Sequence, residues 1–387
     1  MKTLIELYDE RPIENVLASE VFRPGRTVFL CPAVIAQDRR VQEKLRSYLK
    51  HRGLDTEAVF LESSMYNSGK LLKQLRSVCE KYGDCMMDIT GGTDAALFAG
   101  GLLCAGQELP VFTYSRRRNR FFNIHGADFA DDLPCTVLHD VEDCILMAGS
   151  SARAGRVDNG ILSGYMDKID PFFALYLRFR TQWTKIVNYI QLASQSEKDS
   201  LNVEAAPVLT GSRGAKVNAP VDCLLALEKI GFLRDVRPGD PVSFSFLDLQ
   251  VRAWLRDIGS VLELYIYKAC LDTGIFNDVR TSVIVSWDGD GKQPEVTNEI
   301  DVMAMKGVTP VFISCKTCEI TTEALNELAI LRDRFGGNGA KAAIVTARSC
   351  RAITRSRAAE LDIDVIDLGD LKAGRAGERV KSLTERD

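Results

Sequence analysis

The chain has 387 residues, 46% of them hydrophobic and 26% charged, with a net charge of −4. These totals exclude a disordered chain and one that attracts polyanions through its overall charge, and they suit two or three globular domains in which any polyanion site is a local patch. Glu6 and Asp9 interrupt the opening MKTLIELYDE where a signal peptide needs an apolar core, and the mild stretch 95–106 is too short to span a bilayer, so a cytoplasmic protein with no membrane partner is expected.

Residues 1–147 alternate strands (27–35, 56–61, 85–90, 109–115) with helices (38–53, 68–83, 93–106), the last two strands flanking a glycine turn. This alternation predicts a Rossmann-like α/β domain with a mostly parallel sheet. The stretch AGSSARAGRVDNG (148–160) has no apolar period and reads as a linker. Residues 161–250 read as a connector: a helix at 184–194, a helix ending in glycine within 220–236, and a strand pair reaching 249. That order fits a winged helix-turn-helix. It fits equally a helical connector that touches no DNA, and the second helix, VDCLLALEKIG, lacks the basic residues of a major-groove reader. Residues 251–387 open with a long helix (251–274). Strands at 281–287, 299–305 and 310–315, a helix at 321–335, a strand at 340–347, a helix at 351–360 and a strand at 363–368 complete a second α/β domain. No internal repeat is visible.

The run MMDITGGTDAALFAGGL (86–102) is a strand, a glycine pair and a helix. Such a turn aims backbone N–H groups and a helix N-terminus at what lies above it, which favours phosphate. A tight structural turn explains the same residues. The dinucleotide fingerprint G-x-G-x-x-G is absent, which argues against a nicotinamide cofactor. The strand 109–115 runs into SRRRNR, and the first strand runs into YDERPIEN, so both place charge at the carboxyl edge of the sheet.

NEIDVMAMKGVTPVFISCKT (298–317) reads as an antiparallel hairpin turning at Lys306–Thr309. Period-two alternation puts Glu299, Asp301 and Met303 on one face of the first strand, and Phe312, Ser314 and Lys316 on one face of the second. The pairing brings Asp301 to Lys316. A core carboxylate is costly unless it is paired or binds a cation, and carboxylate with backbone carbonyl makes a hard-oxygen site for Mg²⁺ or Mn²⁺. A lysine there positions a water or stabilises charge on a phosphate. A structural ion pair at a sheet end is the plainer reading of the same two residues. Glu263 lies in the apolar helix SVLELYIY and reads as facing a site.

The eleven cysteines are scattered through apolar segments, the usage of reduced thiols. CKTC (315–318) has no second C-x-x-C and no nearby histidine, which disfavours zinc or redox function. With three histidines in the chain, a chemistry built on several is nearly excluded.

Glu263, Asp301 and Lys316 resemble the PD-(D/E)XK, restriction-endonuclease-like nucleases, whose acid before the lysine is here Ser314; Glu299 on the same face as Asp301, Ser314 as a weak ligand, or the Cys315 carbonyl is available in place of the missing acid. With LIELYDERPIENVL and DITGGTDAAL, nearly the whole chain resembles the CRISPR-associated Rossmann-fold (CARF) proteins fused to such a nuclease, the ancillary effectors of type III CRISPR systems. The resemblance implies a homodimer that binds a cyclic oligoadenylate, most often cyclic tetra-adenylate, and then cuts RNA or single-stranded DNA with Mn²⁺ or Mg²⁺. It implies that Thr90, Gly91, Gly92 and Thr93 cradle the ligand's phosphates, with Arg11 and Ser115 at the rim, and that Asp301, Glu263 and the Cys315 carbonyl hold the metal. Asp94 stands where family members often carry lysine. Two other readings stay open: a constitutive repair or restriction nuclease, and a ligand-sensing winged-helix regulator with an inactive nuclease domain.

Overall fold

The structure is a computed structural model, and it describes residues 2–106, 109–155, 159–195, 199–211, 214–287, 296–337 and 339–385. Its N-terminal sheet contains β1 (Thr3–Leu7), β2 (Arg26–Cys31), β3 (Glu57–Glu62), β4 (Cys85–Asp88), β5 (Val111–Ser115), β6 (Arg120–His125) and β7 (Leu133–Pro134). The order is β3-β2-β1-β4-β5-β6-β7; β1 to β5 are parallel and the last two antiparallel. Strand order reverses between β1 and β4, which opens a crevice at their carboxyl ends. The helices are α1 (Leu17–Phe22), α2 (Ala33–Ala36), α3 (Arg39–His51), α4 (Ser68–Tyr82), α5 (Asp94–Cys104) and α6 (Val141–Met147). Asp38, Asn67 and Thr93 cap α3, α4 and α5 by accepting backbone N–H bonds. The strand expected over 27–35 stops at Cys31, because Pro32 has no N–H for the ladder and instead starts α2.

β1 divides its side chains between two cores. Ile5 and Leu7 pack with Leu71, Leu75, Ala96 and Ala99 of α4 and α5. Leu4 packs on the other side with Ile13, Leu17, Phe112 and Phe121. Glu6 and Asp88 are buried within this sheet. Burial pushes the Asp88 carboxyl up to about 7; the Thr90 hydroxyl and N–H pull it down, and the charge of Glu14 adds to the rise. Between the ordinary aspartate pKa and about 7 the folded protein therefore holds a proton that the unfolded chain has released. Stability is expected to fall as pH rises through that window. Asp88→Asn keeps an acceptor for Thr90 and should raise the melting temperature at pH 8, with the gain shrinking towards pH 4 in thermal melts.

The segment expected as a linker holds β8 (Ala152–Ala154), an edge strand of the C-terminal sheet; residues 156–158 of that segment lie outside the described residues. Three residues, Ala152, Arg153 and Ala154, are too few to show an alternation, and their ladder pairing is through the backbone. The connector follows as α7 (Met166–Phe179), α8 (Trp183–Ala193), β9 (Asn202–Ala205), the hairpin β10 (Val208–Thr210) and β11 (Lys216–Asn218), α9 (Val221–Ile230), β12 (Leu233–Arg237) and β13 (Val242–Phe246). β12, β13 and β9 form an antiparallel sheet, and Gly231, at φ +83°, ends α9 as its sequence suggests.

The long helix expected over 251–274 is two helices, α10 (Leu249–Leu255) and α11 (Ser260–Asp272). Asp257 breaks it: its Oδ1 accepts from the N–H groups of Gly259 and Ser260 at 2.8 and 2.9 Å and restarts the helix. Next come β14 (Asp278–Ser286), β15 (Thr297–Lys306), β16 (Thr309–Lys316), α12 (Thr322–Gly336), β17 (Lys341–Thr346), α13 (Ala352–Glu360), β18 (Ile363–Ile366), α14 (Leu368–Lys372) and α15 (Ala376–Leu383). The sheet order is β18-β17-β16-β15-β14-β8. β16, β17 and β18 are parallel, so Lys316 and Thr346 lie side by side at one edge. One face packs on α7, α8 and α11, the other on α6 and α12. No described helix is long and apolar enough to cross a membrane.

Candidate active site and ligand crevice

The hairpin forms with its turn at the expected place, Lys306 opposite Thr309. The regular ladder ends at Val302 opposite Ile313. Beyond it the Asp301 carboxylate takes the next N–H: Cys315 N donates to Oδ2 at 2.6 Å, Ser314 Oγ donates to the same oxygen at 3.1 Å, and Lys316 Nζ stands 3.8 Å from it. Among the described residues Oδ1 accepts no hydrogen bond. Alternation also slips here. Ile300 and Met303 pack into the α12 core while Val302 packs into the α11 core, so Met303 does not share a site with Asp301 as strict periodicity expects.

Glu263 comes from the first turn of α11, half-buried, and its charge raises the thiol pKa of the buried Cys315. A methyl group on Gly259 would lie 2.6 Å from Glu263 Oε1, so the glycine leaves the carboxylate its space. Glu299 accepts from the Ser282 hydroxyl, and its charge helps to raise the Asp301 pKa. Burial is the main cause of that rise; Lys316, the Cys315 N–H and the Ser314 hydroxyl oppose it. The hairpin thus brings Asp301, Ser314 and Lys316 into contact, with Glu263 and Glu299 near enough to act through their charge.

The donors suit a hard divalent cation: Asp301 Oδ1 meets no donor among the described residues, and a carboxylate this buried gains from a positive partner. Among the described residues no three His, Cys, Asp or Glu side chains converge as a metal cage. Asp301, Glu263 and the Cys315 carbonyl are the groups available, with water for the rest, as Mg²⁺ prefers. The Cys315 thiol is buried, and burial pushes its pKa well above the ordinary value.

At the other site the carboxyl ends of β1 and β4 meet. Gly91 and Gly92 are required there: an added methyl would lie 2.8 Å from Asp9 Cβ at Gly91 and 2.8 Å from Leu7 Cβ at Gly92, whose φ is +97°. Gly92→Ala is expected to cost about 1–3 kcal/mol, readable as a lower denaturation midpoint. Several groups expected to face a ligand are engaged within the protein. Thr90 Oγ1 donates to Asp88 and accepts from Tyr114 N, Thr93 Oγ1 donates to the Met65 carbonyl and caps α5, and the Gly92 N–H donates to Asp9. Arg11 forms a bidentate pair with Asp9 at 2.7 Å, and Ser115 Oγ accepts a 3.4 Å bond from Arg118 N. The N–H groups of Gly91 and Thr93 have no partner among the described residues. The exposed Asp94 starts α5.

Sequence reasoning missed Asp9, which orders the crevice by holding Arg11, Asn15 and Gly92 together. It missed also the tip of the hairpin. Val308 is buried in the N-terminal core with Leu4, Ile13 and Leu17. The Gly307 carbonyl accepts from His139 N at 3.0 Å, and Asn277 bonds both Gly307 N and the His139 carbonyl. The buried His139 ring meets Glu20 Oε1 at 2.9 Å, and Glu20 also holds Tyr48 and Arg52. A valine in the turn, MKGVT (305–309), is the signal the sequence offers.

Residues 252–383 match the model of the Card1-like endonuclease domain. The structure resembles protein VC1899 from Vibrio cholerae (TM-score 0.78, 17% identity, 100% of this chain and 99% of that one). It resembles Can2 from Sulfobacillus thermosulfidooxidans, solved in complex with cyclic tetra-adenylate (TM-score 0.71, 16% identity, 100% and 98%). It also resembles a type III CRISPR defence DNA nuclease activated by cyclic oligoadenylate (TM-score 0.51, 14% identity, 97% of this chain and 51% of that one). No curated protein matches the sequence. Residues 252–383 thus carry the match to a Card1-like endonuclease domain, and over its whole length the chain shares the fold of VC1899 and Can2.

Proposed function

We propose that the protein is a nuclease of type III CRISPR antiviral defence, switched on by a cyclic oligoadenylate. Residues 1–147 sense the ligand, 161–250 connect, and 251–387 cut RNA or DNA phosphodiesters in the cytoplasm with Mn²⁺ or Mg²⁺. The observation that carries this reading is one hairpin serving two places. Its strand ends hold Asp301 and Lys316, and its tip is buried in the N-terminal core. A shift of the N-terminal domain on binding ligand would move the hairpin, and a ligand that prefers the shifted arrangement would populate it.

Cyclic tetra-adenylate is the activator this reading favours. The crevice offers the Gly91 and Thr93 N–H groups and the Arg11 side chain to phosphate. A two-fold homodimer would offer that set twice to a symmetric ring. Phe98 (61% exposed) and Leu102 (44%) form an apolar stripe on α5 beside the crevice, suited to pairing with a second copy. In the nuclease domain, Asp301, Glu263 and the Cys315 carbonyl would hold the metal, with Glu299 and Ser314 alongside. Lys316 would orient a water or bind the phosphate. The metal supplies Lewis-acid polarisation of the phosphate when bound.

Calorimetry with cyclic tetra-adenylate, with cyclic hexa-adenylate as control, tests the ligand. One tetra-adenylate ring per two chains is the expected stoichiometry; no heat with either ring would overturn the sensing role. Two further outcomes concern the nuclease site. Ser314→Asp restores an acid beside Asp301, so it should tighten Mn²⁺ binding and lower the melting temperature without metal, since the two carboxylates then repel. Cleavage should fall on acidification with a midpoint above the ordinary aspartate pKa, because Asp301 must be ionised and burial has raised its value; a pH–rate profile reads this directly.

A further inference from the structure

The edge that carries Lys316 also carries two arginines with no assigned role. The Lys316 carbonyl accepts from Ala347 N at 3.0 Å, and the Ala347 carbonyl accepts from Arg180 Nη1 at 3.1 Å. Arg180 caps the end of α7, so the connector reaches the nuclease strand ends here. Arg348 is the next residue after Ala347 and is exposed. Its backbone is pinned: Arg348 N donates to Thr346 Oγ1, which donates to the Cys318 carbonyl, and its own carbonyl accepts from Leu368 N.

Both arginines act on one point. The Tyr176 hydroxyl, pushed up to about 12 by burial, feels the positive charge of Arg180 and Arg348, and the opposing influence of Cys318. Neither arginine has a carboxylate partner among the described residues. Glu319, in the loop after β16, is paired with Arg351 at 3.0 Å. In a chain of net charge −4, two cations without a carboxylate partner among the described residues, beside the lysine at a strand edge, make a local positive rim next to the acids of the site. Arginine forks suit phosphate oxygens, and phosphate contacts position a nucleic acid without reading its sequence.

We infer that Arg180 and Arg348 form a phosphate-binding rim that seats the nucleic-acid strand to be cut against Lys316. The connector therefore touches the substrate through the end of α7 rather than through α9 or its wing. This rests on the nuclease reading above. Arg348, on the exposed loop, reaches the phosphate beyond the scissile one; Arg180, tied to Ala347, fixes the floor.

The test is anisotropy of labelled single-stranded DNA and RNA, at several salt concentrations, on full-length Lys316→Ala protein with Mg²⁺ and cyclic tetra-adenylate. Adding Arg348→Glu or Arg180→Gln should weaken binding about tenfold or more, and each lost contact should lower the salt slope by about 0.7. Arg348→Lys should keep most of the slope, since its charge remains. In the otherwise unsubstituted enzyme, Arg348→Glu should raise KM and leave kcat at saturation unchanged, which a structural role would not do. Arg348 is exposed, so its variants report binding even where Arg180→Gln lowers stability. Unchanged affinity and slope in both variants would overturn the inference while leaving the nuclease reading intact. Failure of the protein without arginine changes to bind either nucleic acid would overturn both.

Discussion

Lys316→Ala is expected to lower the rate of phosphodiester cleavage by about 10²–10⁴-fold, with activator binding unchanged. The ammonium sits 3.8 Å from Asp301 Oδ2 and is about one-third exposed, so it is placed to face both the carboxylate and solvent. A partly exposed pair of this kind contributes only about 0–1 kcal/mol to folding. The melting temperature should therefore change little while the rate collapses. Loss of the positive charge also removes one of the groups that hold the Asp301 pKa down, so any residual activity should fall away at a higher pH than in the parent. Initial rates and thermal melts on the same preparations read these effects. A cleavage rate equal to that of the parent would mean that Asp301 and Lys316 are a structural ion pair.

His139→Ala and Val308→Ala are expected to uncouple the two ends of the molecule. Val308 anchors the hairpin in the N-terminal core, and His139 joins its tip to Glu20, Tyr48 and Arg52. Removing the imidazole leaves a buried carboxylate with one partner fewer, at about 1–3 kcal/mol. Trimming the valine costs about 1–2 kcal/mol in lost burial. Neither side chain touches the crevice or the strand ends. Activator affinity and the rate without activator should therefore stay within a few-fold of the parent. The stimulation by activator should drop about tenfold, within the usual size of a coupling free energy. Binding isotherms and rates with and without cyclic tetra-adenylate separate these quantities; full stimulation in both variants would place the coupling elsewhere.

The alternation from β2 to β5 is legible in the sequence because α3, α4 and α5 each carry a capping side chain and the strands between them an apolar run. The hairpin is legible for a similar reason: Gly307 marks the turn, at φ +60°, and the residues around it fix the register. Three things are not legible. β8 is three backbone-paired residues without a pattern. The break before α11 depends on where the Asp257 carboxylate points, which no periodicity records. The slip at Asp301 arises because a side chain replaces a backbone carbonyl as the acceptor for Cys315 N, a competition that alternation rules do not include. The acids and lysine of the candidate site are legible as residue types, and so is the glycine turn. The partners that occupy Thr90 and Thr93 are not, since Tyr114 and Met65 lie 24 and 28 residues away in the chain.

The most direct measurement is the initial rate of cleavage of labelled single-stranded RNA, single-stranded DNA and plasmid with Mn²⁺, with and without cyclic tetra-adenylate. Cleavage that appears only with the ring, and is absent from Lys316→Ala, is the expected result and identifies the substrate. Equal cleavage with and without the ring would contradict a ligand-switched enzyme and favour a constitutive nuclease.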